Sequence, residues 1–179
     1  MEKSIIIAGF GGQGIIIAGT ILANAFMLDN KNVICCPCYG AEMRGGEVNC
    51  TVVMNDGNDE CVDKAQADIV IALNQLSFDK FIKKLRDGGT VIANSSLIKM
   101  VKPRADINYV FAKISDMAKE LGDIRVTNII SLGLLAQIEK MSVETLQNAI
   151  QKVFASKSVN ILNLNFDALK IGKQCCFQN

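Results

Sequence analysis

Histidine and tryptophan are absent from the 179 residues, and only two prolines and two tyrosines occur. Without histidine there is no Ser-His-Asp or Cys-His nucleophile, no imidazole metal ligand and no imidazole acid–base step. An excess of charge of either sign is also missing: 19 basic residues stand against 18 acidic ones, a formal net charge of +1. That balance excludes a chain whose main partner is duplex nucleic acid or an anionic membrane surface, so any bound anion needs a local site. No long hydrophobic run is present, since Ile15–Leu28 is interrupted by Gly19, Thr20 and Asn24 and falls short of the roughly twenty residues that span a bilayer. The short run Ile5–Ala8 stops at Gly9, and Glu2 offsets Lys3, which is not the pattern of a secretory leader. A soluble cytoplasmic protein is expected. Seven cysteines, including the adjacent pairs Cys35–Cys36 and Cys175–Cys176, make an awkward disulfide set and point to reduced thiols in a reducing compartment.

What is there is apolar: half of the residues are hydrophobic, too many for a disordered chain. The length fits one domain, residues 1–179, with a sizeable core. Ser4–Ala8 reads as a buried strand ending in glycines, and Gly14–Leu28 as a helix apolar on most faces. Val33–Cys36 is a second strand, after which Pro37, Gly40, Gly45 and Gly46 break all periodicity. Val48–Met54 alternates apolar residues with Asn49 and Thr51, as an edge or antiparallel strand does. Strands are also expected at Asp68–Leu73, Thr90–Asn94 and Tyr109–Ala112, with a helix at Leu76–Leu85 and a turn at Gly88–Gly89. Beyond Ser115 only helices follow: Asp116–Leu121, a run opened by Thr127–Asn128 and continuing Ile129–Lys140, one from Ser142 to about Phe154, and Val159–Ile171, ended by Gly172. Asn128 is read as a helix N-cap. The fold class is α/β: a three-layer Rossmann-like domain with a mostly parallel sheet and a helical C-terminal third.

Gly9, Gly11 and Gly14 fit G-x-G-x-x-G between a strand and a helix, the context in which that pattern carries meaning. Its backbone N–H groups and the positive end of the helix suit a phosphate. Gly12 opens the loop further, and Gln13 offers an amide to a phosphate or an interface. A dinucleotide site also wants an acid about twenty residues on, at the end of the second strand. Cys35-Cys36-Pro37-Cys38 stands there instead, and no acid follows until Glu42. Three readings therefore stay open for the glycines: a tight turn with close packing, a site for some other anion, or a dinucleotide site.

The segment Tyr39-Gly40-Ala41-Glu42-Met43-Arg44-Gly45-Gly46 puts an aromatic ring, a carboxylate and a guanidinium in one loop at the carboxyl end of the second strand. Both loops are expected to lie together, leaving neighbouring strands, with Arg44 aimed at an anionic group, a carboxylate or a phosphate. An internal Glu42–Arg44 bridge is the plainer alternative.

Taken together, Gly9-Phe10-Gly11-Gly12-Gln13-Gly14 and Tyr39–Gly46 resemble the gamma subunit of the 2-oxoacid:ferredoxin (acceptor) oxidoreductases. Asp68 before Ile69–Leu73 and the segment Asn128-Ile129-Ile130-Ser131-Leu132-Gly133 are similar to that family's pattern as well. The resemblance implies a multi-subunit enzyme with thiamine diphosphate, Mg and [4Fe–4S] clusters, which converts a 2-oxoacid and coenzyme A to an acyl-CoA and carbon dioxide. Electrons leave through ferredoxin or flavodoxin. It implies alpha, beta and ferredoxin-like delta partner subunits that hold those cofactors, with this chain helping to shape the coenzyme A approach. No nucleic acid or membrane partner is expected. The substrate expected from the resemblance is 2-oxoglutarate, ahead of pyruvate, branched-chain oxoacids and indolepyruvate. Candidate binding residues are Gly9, Gly11, Gly12, Gln13, Gly14, Tyr39, Glu42, Arg44, Gly45 and Gly46, with no catalytic residue and no metal ligand. The chain alone lacks the four spaced thiolates of a cluster. Two rival readings remain, a stand-alone nicotinamide-dependent reductase and a nucleotide-sensing module. Cys35-Cys36-Pro37-Cys38 contains a thioredoxin-like C-x-P-C, but no helix start follows it, and a redox role for that motif is not expected.

Overall fold

The computed structural model describes residues 2–40, 46–57 and 66–176. Its centre is a six-stranded sheet built from β1 (Glu2–Phe10), β2 (Asn32–Tyr39), β3 (Glu47–Asn55), β4 (Ala67–Ala72), β5 (Leu85–Asn94) and β6 (Asn108–Ala112), in the order β2-β3-β1-β4-β5-β6. Strands β1, β4, β5 and β6 are parallel, and β3 runs antiparallel to both of its neighbours. The unbroken apolar run of β1 follows from this position. Ile5 and Ile7 pack on one face of the sheet while Ile6 and Ala8 pack on the other, as a strand covered on both sides requires.

The antiparallel character expected for Val48–Met54 holds, but β3 is not at an edge. It lies between β2 and β1, pairing Val48 with both Tyr39 and Gly9. The strand read as Val33–Cys36 extends to Tyr39. Pro37 does not end it, because an outermost strand pairs on one side only and tolerates a missing N–H.

Five helices cover one face among the described residues: α1 (Ile15–Leu28), α3 (Ile114–Glu120), α4 (Thr127–Ile138), α5 (Val143–Val153) and α6 (Val159–Gln174). The opposite face is packed by α2 (Gln75–Phe81), the 3-10 turn Ile82–Lys84 and Ile98 and Ile107 from the segment that leads to β6. The expected helical C-terminal third is therefore present, and the layers are unequal. Helix α4 is the inner one, with ten of its 12 residues buried, which is why its sequence carries no polar stripe.

Two glycine readings change. Gly172 does not end α6, which continues to Gln174. It lies where α6 crosses α4, and a Cβ there would run into the Ile130 carbonyl oxygen, just as one on Gly133 would run into that of Leu169. Gly88 and Gly89 do not form a turn between elements but lie inside β5, at a register shift against β4. Gly88, with φ +73°, supplies the left-handed residue of this bulge. No helix among the described residues is long and apolar enough to cross a membrane.

Candidate functional site

The glycine loop leaves the carboxyl end of β1 and turns directly into α1. Two left-handed residues make that possible, Gly12 at φ +94° and Gly14 at φ +70°. Gly9 is needed for contact instead, since a Cβ there would lie 2.6 Å from Gln13 Oε1 and 2.7 Å from Ile15 Cδ1. Gln13 fastens the loop from inside: its Oε1 accepts the Phe10 N–H at 2.7 Å and an Asn74 Nδ2–H at 3.3 Å.

The two loop motifs meet. The Gly11 N–H donates to the Gly46 carbonyl at 2.9 Å, and the Gly40 N–H donates to Glu47 O at 2.7 Å. Tyr39, which is 67% exposed, stands across β3 from Gly9. The expectation that the loops leave neighbouring strands is corrected, because β3 lies between β1 and β2. The loops converge because Gly46, at the start of β3, reaches Gly11 directly. Glu42, Arg44 and Gly45, and with them the Glu42–Arg44 bridge, lie outside the described residues.

Asn128 is not the N-cap of α4, which begins at Thr127 after Val126. Buried at the foot of the glycine loop, it donates Nδ2–H to the Gly14 carbonyl at 2.9 Å. A Cβ on Gly14 would lie 2.5 Å from that same nitrogen. Asn128 therefore ties the start of α4 to the start of α1. The shared sequence signal was an asparagine at a helix start, which says nothing about a partner 114 positions away.

Beyond this tie a cleft of about 420 Å³ opens beside the glycine loop, with Gly12, Gly14 and Asn128 at one wall and Ile17, Phe154 and Leu164 forming its apolar side. Asp123, Arg125, Lys157, Asn160 and Asn165 supply its polar groups. The first intrahelical bond of α1 runs from the Ala18 N–H to Gly14 O, so the N–H groups ahead of Ala18 belong to the open start of the helix. The Arg125 guanidinium is held by Asp123 through Nε at 2.9 Å and Nη2 at 2.6 Å. That pairing keeps the Asp123 carboxyl below the usual carboxylate range. Of the cleft's lining, Gly12 and Gly14 were expected site residues, whereas Asp123, Arg125, Lys157, Asn160 and Asn165 were not. Leu121-Gly122-Asp123 carried the available signal, a helix stop followed by a capping aspartate, and Asp123 does accept the Arg125 N–H at 2.9 Å. The arrangement suits the binding of an anionic ligand with an apolar portion.

The C-x-P-C motif lies on strand β2, so Cys35 and Cys38 point to opposite faces of the sheet and cannot pair. Cys35 packs toward the α1 side, where its Sγ is 3.4 Å from Sγ of buried Cys50 on β3. Among the described residues, no group of three or more cysteine, aspartate or glutamate side chains is placed to hold a metal ion. Among the described residues the donor set fits neither a cluster nor the metal of thiamine diphosphate.

A family model described as pyruvate ferredoxin/flavodoxin oxidoreductase matches residues 4–175. The chain is 35% identical over 156 residues to the 2-oxoglutarate synthase subunit KorC of Methanocaldococcus jannaschii, covering 84% of this chain and 82% of that one. It superposes on the gamma subunit of keto/oxoacid ferredoxin oxidoreductase from Geobacter sulfurreducens with a TM-score of 0.80, at 30% identity and 95% of both chains. A TM-score of 0.87 relates it to the 2-oxoglutarate:ferredoxin oxidoreductase from Magnetococcus marinus solved with 2-oxoglutarate, coenzyme A and succinyl-CoA bound. There the identity is 24%, and this chain spans 96% of itself but 30% of that chain.

Proposed function

This chain belongs to the pyruvate ferredoxin/flavodoxin oxidoreductase family as a gamma-type chain, and we propose that the complex it joins oxidises 2-oxoglutarate. The overall reaction is 2-oxoglutarate and coenzyme A to succinyl-CoA and carbon dioxide, with two electrons passed to a ferredoxin or flavodoxin. Thiamine diphosphate, Mg and the [4Fe–4S] clusters sit on partner alpha, beta and delta subunits, where they supply the decarboxylation and electron transfer. The similarity to KorC along 84% of this chain supports the choice of oxoacid.

The part taken by this chain's own residues is to offer a docking and ligand-facing surface. The observation that carries this is the bond from the Gly11 N–H to Gly46 O, which brings the last residue of the Tyr39–Gly46 motif against the glycine loop beside the cleft. Coenzyme A brings a pyrophosphate and a ribose phosphate. The open N–H groups at the start of α1, with Arg44, suit those groups, and no acid is needed to hold free ribose hydroxyls. A nicotinamide cofactor fits worse, because the acid beside the carboxyl end of β1, Glu47 opposite Phe10, is paired with Lys80 at 2.7 Å.

The test is co-expression with the neighbouring alpha, beta and delta chains followed by anaerobic assay of coenzyme A-dependent viologen reduction. The 2-oxoglutarate reading requires kcat/KM for 2-oxoglutarate above those for pyruvate, 2-oxoisovalerate and indolepyruvate. Preference for any of the other three overturns it, while activity with none of them overturns the complex itself.

A further inference from the structure

We propose that Cys35 and Cys50 form a dithiol that a hydroperoxide converts into a disulfide linking the edge strand β2 to β3. The inference stands apart from the assignment to an oxoacid oxidoreductase. It starts from two thiols on adjacent strands whose sulfurs lie 3.4 Å apart without a bond between them.

Their placement divides the labour. Cys35 is half-buried and open to a small oxidant, whereas Cys50 is fully buried behind it, against Gly19 of α1. Peroxide therefore reaches Cys35 first. Once Cys35 is a thiolate, the Cys50 S–H is the donor of the bond between the two sulfurs, which brings the Cys35 thiol down to about 7. The same bond and its burial push the Cys50 thiol up, so it stays protonated until it reacts.

The step balances as follows. The Cys35 thiolate attacks one peroxide oxygen, the O–O bond breaks, and hydroxide leaves while Cys35 becomes a sulfenic acid. The Cys50 sulfur then attacks the Cys35 sulfur, the S–O bond breaks, and the departing hydroxide takes up the Cys50 proton. Two thiols and one hydroperoxide, taken as hydrogen peroxide, give one disulfide and two waters, with two electrons passed from sulfur to oxygen.

A disulfide needs an S–S distance of about 2.05 Å, which leaves about 1.4 Å to close. Cys35 faces Val52 and Cys50 faces Pro37 in the β2–β3 ladder, so the sulfurs approach diagonally and the strands must shift slightly. The edge position of β2 allows it, since β2 pairs with β3 alone and Pro37 brings no N–H to the ladder. Cys36 and Cys38 lie on the opposite side of β2 and are not competitors for Cys50.

At pH 7 a thiol titrating at about 7 is half thiolate, against about 3% for a free thiol at about 8.5, and its lower intrinsic nucleophilicity trims the gain to about threefold. The experiment treats the reduced, purified full chain with stoichiometric hydrogen peroxide and maps the product by mass spectrometry. The expected product has lost two hydrogens. Its tryptic digest joins residues 32–44 to residues 45–64, and fragment ions place the bond between Cys35 and Cys50. A variant carrying Cys36→Ser, Cys38→Ser and Cys61→Ser still forms that link, and Cys50→Ala leaves a dimedone-reactive sulfenic acid at Cys35. Cys35 is consumed about threefold faster than free cysteine in the same buffer. A wild-type cross-link through Cys36, Cys38 or Cys61, loss of the link in the triple variant, or a Cys35 that stays reduced while exposed thiols oxidise overturns the proposal.

Discussion

Replacing Gly14 by alanine tests the tie between the glycine loop and α4. Two costs add at this position. The residue sits at φ +70°, where an L side chain loses about 1–2 kcal/mol. Its Cβ would also lie 2.5 Å from Asn128 Nδ2, and overpacking of this kind costs about 1–3 kcal/mol. Reduced freedom of the unfolded chain returns about 0.4–1 kcal/mol. The net loss expected for Gly14→Ala is therefore about 1–5 kcal/mol. Asn128→Ala removes the other partner of the same contact, together with its buried bond to Gly14 O, at about 1–3 kcal/mol. In the double variant the overlap vanishes, so the two losses do not add and a coupling of about 1–2 kcal/mol is expected. Urea unfolding of the four proteins, with equal m-values, reads the coupling from the shifts in midpoint. Losses that add to within about 0.5 kcal/mol would refute the tie.

Three further outcomes are expected. Gly172→Ala forces a Cβ onto the Ile130 carbonyl oxygen, and a net loss of about 2 kcal/mol, after the gain in helix propensity, lowers Tm by roughly 4–8 °C. Calorimetry showing an unchanged or higher Tm would contradict the close crossing of α4 and α6. Alkylation of Cys35 by iodoacetamide rises with pH and reaches half its maximum near pH 7, because Cys50 stabilises the Cys35 thiolate; a midpoint at 8.5 or above, as for a free thiol, would contradict that contact. NADH and FAD bind no more tightly than about millimolar, and calorimetry giving a low-micromolar constant for either would favour the nicotinamide reading.

Much of the fold was legible because its signals are local. Ile5–Ala8 announces a doubly covered strand, Asn49 and Thr51 announce a strand with antiparallel partners, and the apolar α4 announces an inner helix. Position in the sheet was not legible. The alternation of β3 fits a central antiparallel strand as well as an edge one, and only pairing decides between them. Glycine was the commonest source of error. Gly172 looks like a helix end and is a contact point between helices; Gly88 and Gly89 look like a turn and form a bulge. The same limit applies to the site: Gly11 and Gly46 were legible as loop glycines, but the cleft beside them needs Arg125, Lys157 and Asn165, which come together only when α6 packs on α4.

The central claim is that the face joining the two glycine-rich loops meets coenzyme A in the assembled enzyme, and Arg44→Ala tests it most directly. Loss of a charge-assisted bond to a phosphate, about 1.5–3 kcal/mol, raises KM for coenzyme A by roughly 10-fold to 150-fold. The KM for 2-oxoglutarate stays unchanged and gel filtration shows the complex intact. An Arg44→Ala enzyme that remains assembled with both Michaelis constants unaltered would contradict the claim, as would one that releases this chain on gel filtration, since Arg44 would then serve a partner carboxylate.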